Sequence, residues 1–82
     1  MRRDILTILV EKRGDSAVKV QEILTKWGSI IRTRLGLHGE TGEHGLIIVD
    51  LSGNGEQNGA LASELEGLKG VVVKQVSLSM ET

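Results

Sequence analysis

The chain has 82 residues, a formal net charge of −1, no cysteine, and Trp27 as its single aromatic residue. The missing cysteines exclude disulfides and thiolate metal sites, and the near-neutral charge provides no long-range field for nucleic acids or acidic membranes. A domain this small buries only about 60% of its unfolded surface, so association often completes its stability. We expect one domain over residues 1–82, located in the cytoplasm, with no cofactor.

The first half of the chain reads as strand, helix and strand. Residues 5–10 are apolar on both faces, as in an interior strand, and a charged turn follows from Glu11 to Gly14. Asp15 is predicted to cap a helix that ends at Gly28. Its apolar stripe comprises Ala17, Val20, Leu24 and Trp27.

A second strand is predicted over residues 29–35. Strict alternation would place Ile31, Thr33 and Leu35 on one face, and Ile30, Arg32 and Arg34 on the other. Four glycines, at 36, 39, 42 and 45, indicate a hairpin loop that leads to an apolar strand over residues 46–51.

The second half repeats the helix–strand order. A turn at residues 52–55 precedes a helix from about Gln57 to Leu68, and Gly70 precedes a strand over residues 71–78. With right-handed crossovers, this βαββαβ order predicts an α+β, ferredoxin-like sandwich. Its four-stranded antiparallel sheet has the order 4-1-3-2, with both helices on one face.

The opposite face of that sheet is also rich in Ile, Leu and Val, and no helix of this chain covers it. An exposed apolar patch of this size normally marks an interface. We therefore expect a homo-oligomer, a dimer or tetramer, formed through the open sheet face.

Two groups of residues are candidates for binding a small ligand. Arg13, Gly14, Asp15 and Ser16 lie at the start of the first helix, where backbone amides could bind an anion or where Asp15 simply caps the helix. Arg32 and Arg34 are predicted on the open sheet face, either as a clamp for a carboxylate or phosphate, or as ion-pair partners of Asp50, Glu11 or another subunit. The glycine-rich turn over residues 53–59 resembles the first loop, either as a simple turn and cap or as a place of close approach.

Other chemistries have weaker support. His38 and His44 could bind a metal together with Glu40 or Glu43, or be solvated loop residues. The central strands lack the aromatic residues on which RNA-binding domains stack bases. No nucleophile–base pair is visible in the sequence, so we predict no enzymatic activity; the alternatives are a small enzyme with an anion site in the first loop, or a purely structural oligomerisation module.

Several segments resemble one known family. The similarity is carried by residues 5–11, 20–24, 31–36, 47–51, 58–61 and 70–74, in order and spacing, and spans about Asp4 to Leu78. In these segments the chain resembles the iron-only hydrogenase system regulators. That family is similar in fold to ACT domains and to the C-terminal domain of nickel-responsive repressors.

The resemblance implies an oligomeric regulatory domain that binds a small molecule or a regulatory protein, in transcriptional or maturation control. In ACT domains a ligand commonly lies near the first strand–helix loop, which corresponds here to Arg13, Gly14, Asp15 and Ser16. Nickel repressors use cysteine and histidine on their strands and an N-terminal DNA-binding segment. This chain has no cysteine and only Met1 to Asp4 before the first predicted strand, so we expect neither nickel sensing nor direct nucleic-acid binding.

Overall fold

A computed structural model describes residues 1–11, 15–38 and 44–81 of the chain. Its elements are β1 (Arg2–Glu11), α1 (Ser16–Lys26), β2 (Ile31–His38), β3 (His44–Leu51), α2 (Gly55–Glu66) and β4 (Val71–Ser79). The strands form one sheet in the order β2-β3-β1-β4, and every neighbouring pair is antiparallel. The predicted order 4-1-3-2 is the same sheet read from its other edge, so the ferredoxin-like α+β fold is confirmed.

The hydrophobic core lies between the two helices and one face of the sheet. Alternate residues of β1 (Leu6, Ile8 and Val10) are buried on that face, as the period of two in a strand requires. Helix α1 contributes Val20 and Leu24 to the core, and α2 contributes Leu61, Ala62 and Leu65. Each large apolar side chain buried in this way contributes about 1.5–3 kcal/mol. No helix in the described part of the chain is long and apolar enough to cross a membrane.

Helix α1 begins after the predicted N-cap residue but lacks the predicted side-chain cap. Asp15 is the N-cap residue, but its φ of −105° and ψ of 9° are not extended, and its side chain accepts no capping hydrogen bond. Its carboxylate lies 3.5 Å from Lys19 Nζ instead. The helix ends at Lys26, and Gly28–Ile30 form a 3-10 turn that brings Ile30 into the core. The predicted Asp15 side-chain cap is therefore wrong, whereas Gly28 directly follows the C-cap residue Trp27, which is the stop position predicted for it.

Helix α2 begins two residues earlier than predicted because its N-terminus is capped reciprocally. Asn54 Oδ1 accepts a hydrogen bond from the Gln57 amide at 2.8 Å, and Gln57 Oε1 accepts one from the Asn54 amide at 3.0 Å. This capping box uses two of the amides that every helix start leaves without a partner.

Gly70 leads into β4, as predicted. Its φ of 75° is in the left-handed region that glycine adopts without strain. A Cβ at this position would lie 2.8 Å from Glu11 Oε2, and the Gly70 carbonyl accepts a hydrogen bond from the Glu11 amide at 2.9 Å. Glycine is therefore favoured here chiefly for its conformation, because the flexible Glu11 side chain could move away from an added Cβ.

A buried polar contact fastens α2 to β1. Asp4 and Asn58 are both 2% exposed, and Asn58 Nδ2 donates to Asp4 Oδ2 at 2.8 Å and to the Gly53 carbonyl at 3.0 Å. Arg2 Nε donates to the other Asp4 oxygen at 3.1 Å. These hydrogen bonds, that from Asn58 first, lower the pKa of Asp4 and keep its carboxylate charged.

A second polar contact joins the two helices. Trp27 Nε1 donates to Glu64 Oε2 at 2.6 Å, and Lys26 Nζ pairs with Glu64 Oε1. The hydrogen bonds from Lys26 and Trp27 lower the pKa of Glu64. Because the folded-state pKa is depressed, this contact stabilises the fold above the unfolded-state pKa and is lost as the pH falls through the folded-state value.

Strand β2 contains a bulge that changes which residues face the helices. Ile31 pairs with Leu51 and Thr33 pairs with Asp50, so Arg32 is the extra residue. Ile31 packs against the core, whereas Thr33 lies on the opposite face. The predicted alternation, which placed Ile31 and Thr33 on one face, is wrong because the bulge interrupts it.

We predict that Asn58→Ala lowers the free energy of unfolding by about 2–3 kcal/mol, because it leaves the buried Asp4 carboxylate short of one donor. Asn54→Ala removes the side-chain cap of the same helix at an exposed position and should cost about 1 kcal/mol. Urea unfolding at one protein concentration measures both variants. If Asn58→Ala and Asn54→Ala lowered the free energy of unfolding equally, the importance of the Asp4–Asn58 contact would be contradicted.

We also predict that acid changes the fluorescence of Trp27, the only tryptophan, as Glu64 gains a proton. The midpoint should lie below the usual glutamate pKa of about 4.3, because the folded-state pKa is lowered. Glu64→Gln should abolish the transition, and Glu66→Gln serves as the control on the same helix. A transition that persists in Glu64→Gln would show that another group causes it.

Candidate functional site

The face of the sheet away from the helices is apolar over all four strands. Strand alternation and register place nine apolar residues on this surface, called here the open sheet face: Ile5, Leu9, Leu35, Leu37, Leu46, Ile48, Val72, Val76 and Leu78. On the edge strands, Leu35 and Val72 are 52% and 65% exposed. The isolated chain thus leaves a contiguous apolar surface in contact with water.

Polar residues lie at the middle and the ends of the open sheet face. Thr7 occupies its centre, and its Oγ1 donates to the Lys74 carbonyl at 3.2 Å. At one end, Glu11 is paired with His44 across β1 and β3. At the other end, Arg3 Nη2 lies 2.6 Å from Asp50 Oδ2. Charged groups therefore lie at both ends of the open sheet face, and Lys74, opposite Thr7 on the edge strand β4, lies between Val72 and Val76.

The two arginines predicted as a clamp on this face do not form one. Arg32 Nη1 lies 3.9 Å from Asp50 Oδ2. This contact confirms Asp50, one of the alternatives from the sequence, as an ion-pair partner of Arg32. Arg34 pairs with Val49, which is buried in the core, and its guanidinium donates to Gln21 of α1. Placing Arg34 on the open sheet face is wrong, because the bulge at Arg32 turns it towards the helices.

Of the first-loop candidates, Arg13 and Gly14 lie outside the described residues. The two that are described make local contacts. Ser16 Oγ donates to the Lys69 carbonyl at 2.6 Å, which connects α1 to the turn before β4, and Asp15 pairs with Lys19. A ligand site at this loop stays a prediction.

The histidines border the segment between β2 and β3. His38 ends β2 and His44 begins β3, while Glu40 and Glu43 lie outside the described residues. Within residues 1–11, 15–38 and 44–81, no group of three or more His, Cys, Asp or Glu side chains is placed to hold a metal ion. The metal-site alternative for His38 and His44 stays a prediction.

A cavity of about 240 Å³ lies beside the start of α2, at the opposite end of the sheet from Glu11 and His44. Arg2 and Arg32 line it from the starts of β1 and β2, and Gly53, Asn54 and Gly55 line it from the turn before the helix. Asp4 and Asn58 also line it, and their mutual hydrogen bond holds this end of α2 against β1.

Sequence reasoning identified only part of this cavity. It named Arg32 and the glycine-rich turn over residues 53–59, which includes Asn58, but not Arg2 or Asp4. The spacing of Asn54 and Gln57 is a capping-box signal that could have located the helix start correctly. Asp4 and Asn58 are far apart in the sequence, so no local pattern indicates that they meet.

The chain is similar to known proteins over most of its length. The family model "TM1266-like: Iron-only hydrogenase system regulator, putative" matches residues 2–75. The structure of uncharacterized protein TM1266 from Thermotoga maritima is 31% identical, covers 96% of this chain and 100% of its own, and superposes with a TM-score of 0.89. No curated protein sequence matches the chain.

More distant structures share the fold alone. The ACT domain from the GTP pyrophosphokinase of Chlorobium tepidum has 17% identity and a TM-score of 0.72, covering 90% of this chain and 96% of its own. The C-terminal domain of MgtC from Mycobacterium tuberculosis has 13% identity and a TM-score of 0.68, covering 94% and 87%. The fold is thus ACT-like, and the family match decides membership: the chain belongs to the TM1266-like family of iron-only hydrogenase system regulators.

Proposed function

We propose that this protein is a non-catalytic, homo-oligomeric regulatory domain that acts in the cytoplasm on an iron-only hydrogenase system. The observation that carries the proposal is the open sheet face, which two helices on one side of the sheet leave uncovered. Membership of the regulator family and the ACT-like fold support the regulatory role. Its ligand or partner protein would act by favouring one assembly over another.

The size of the open sheet face supports a second copy as its occupant. Four strands spaced about 4.8 Å apart, over about eight residues of about 3.3 Å each, give a flat area of about 500 Å². Two such faces would bury on the order of 1,000 Å² together, which is the size at which specific interfaces begin. Burial of residues such as Leu35 and Val72 would also supply the apolar contacts that this small core lacks.

The charges at the ends of the open sheet face also suit self-association. Glu11 lies at one end of β1 and Arg3 at the other, with Arg32 beside the Arg3–Asp50 pair. If a two-fold axis runs across the strands, Glu11 of one copy lies towards Arg3 of the other. Complementary charge of this kind favours one orientation of the two sheets.

Regulation through such an assembly requires a ligand or partner that binds its states with different affinity. A molecule that binds one assembly more tightly shifts the population towards it, by no more than the difference in binding free energy. The first-loop residues Arg13, Gly14, Asp15 and Ser16 stay one proposal for where such a molecule binds.

We predict that Ile48→Glu dissociates the oligomer, because it places a charge beside Thr7 at the centre of the open sheet face. Leu35→Glu is the second variant. Leu35 is already 52% exposed, so the fold of a single chain should tolerate the change. Sedimentation velocity measures the assembly, and circular dichroism verifies that each variant is folded.

Val18→Glu is the matched control. Val18 is 60% exposed on α1, on the helix side of the sheet, so the same substitution there should leave the assembly unchanged. A monomeric wild-type protein, or folded Ile48→Glu and Leu35→Glu variants with wild-type assembly, would contradict an interface on the open sheet face.

A further inference from the structure

The cavity beside α2 presents two arginine side chains on one side and the start of a helix on the other. Arg2 comes from β1 and Arg32 from the bulge in β2, and their side chains are 53% and 49% exposed. Gly55 is the first residue of α2 and also lines the cavity. The cavity therefore has accessible positive charge around a space of about 240 Å³.

The Arg2 guanidinium lies against the start of α2, where positive charge is unfavourable, and is paired with the Asp4 carboxylate. A Cβ on Gly55 would be 3.0 Å from Arg2 Nη1, so the guanidinium lies against the bare Cα of the first helical residue. The N-terminus of a helix carries partial positive charge and attracts anions, not cations. Arg2 Nε is held by Asp4 at 3.1 Å, which leaves the outer nitrogens of the guanidinium directed towards the helix start.

Arg32 is only loosely paired. Its Nη1 lies 3.9 Å from Asp50 Oδ2, whereas Arg3 Nη2 lies 2.6 Å from that same oxygen. The closer arginine is the better-placed partner of Asp50, so Arg32 retains donors for another acceptor. Asp4 is the one carboxylate that lines the cavity, and both of its oxygens already accept hydrogen bonds.

The helix start supplies further donors. The capping box uses the amides of Asn54 and Gln57, and the amides of Gly55 and Glu56 lie between them in the first turn, where no intrahelical acceptor is available. Their N–H groups, like all those of a first turn, point out of the helix end.

One of the residues that line the cavity also carries a buried polar atom without a partner. Asn58 lines the cavity, is 2% exposed, and its Oδ1 has no hydrogen-bond partner among the described residues. This atom lies beside the bare Cα of Gly53, where a Cβ would approach it to 2.6 Å. A buried acceptor without a donor is uncommon in folded proteins and indicates a missing partner, such as a water molecule or the hydroxyl of a ligand.

We propose that this cavity binds a small oxyanion, with a phosphate group as the preferred occupant. Arg2 and Arg32 pair with its oxygens, and the amides of Gly55 and Glu56 donate to it along the axis of α2. This inference rests on the proposed function, because it names the chemical class of the ligand that would regulate the assembly.

The test is an NMR titration of ¹⁵N-labelled protein with inorganic phosphate at constant ionic strength. We expect saturable shifts of the Gly55 and Glu56 amides, and an apparent Kd about tenfold weaker in Arg32→Gln, because one charged hydrogen-bonding partner is lost. Arg32→Gln is preferred to Arg2→Gln because Arg2 also holds Asp4. Glycerol 3-phosphate and acetate, titrated in parallel, distinguish a phosphate monoester, free phosphate and a carboxylate as the source of the oxyanion.

Arg34→Gln is the matched control. It removes the same charge from the same strand, but Arg34 binds Gln21 and does not line this cavity. Phosphate affinity within twofold of wild type in Arg34→Gln supports the site. Absence of saturable shifts at Gly55 and Glu56, or equal weakening in Arg32→Gln and Arg34→Gln, overturns it.

Sedimentation velocity on the same samples separates this inference from the proposed function. Phosphate binding by a monomeric wild-type protein would refute the oligomer and leave the anion site in place. An oligomer without phosphate binding would refute the anion site alone.

Discussion

A sheet that is apolar on both faces, with helices on only one of them, is the constraint on which the rest of this structure depends. The central strands β1 and β3 direct Leu6, Ile8 and Val49 into the core and Leu9 and Ile48 away from it. The two crossover connections bring both helices to the first face. The second face therefore stays open in a single chain, and its burial requires another molecule.

The same connections separate the two candidate ligand sites. Glu11, the last residue before the first strand–helix loop, pairs with His44 at one end of the sheet. The turn before α2 lies at the opposite end, beside the starts of β1 and β2. An anion bound there would contact both helix and sheet, and Arg32 connects that cavity to the Arg3–Asp50 pair at the border of the open sheet face. This arrangement gives a physical route by which ligand binding could influence assembly.

Much of the fold could be predicted because its signals are local. The periods of two and about 3.6 located four strands and two helices, and glycines such as Gly70 marked the turns. The details that failed depend on distant contacts or on backbone irregularity. The bulge at Arg32 reverses the faces expected for Thr33, Arg34 and Leu35. The conformation of Asp15 prevents the side-chain cap that its residue type suggests.

The sequence by itself determined the order of the elements, the strand order and the existence of two apolar sheet faces, because side-chain periodicity and right-handed crossovers are properties of the local chain. Only the tertiary structure decided which polar residues meet. Asp4 and Asn58 are 54 positions apart, yet their buried contact holds α2 beside Arg2. Such pairings arise from packing between elements, and packing is three-dimensional, so no pattern of neighbouring residues in the chain encodes them.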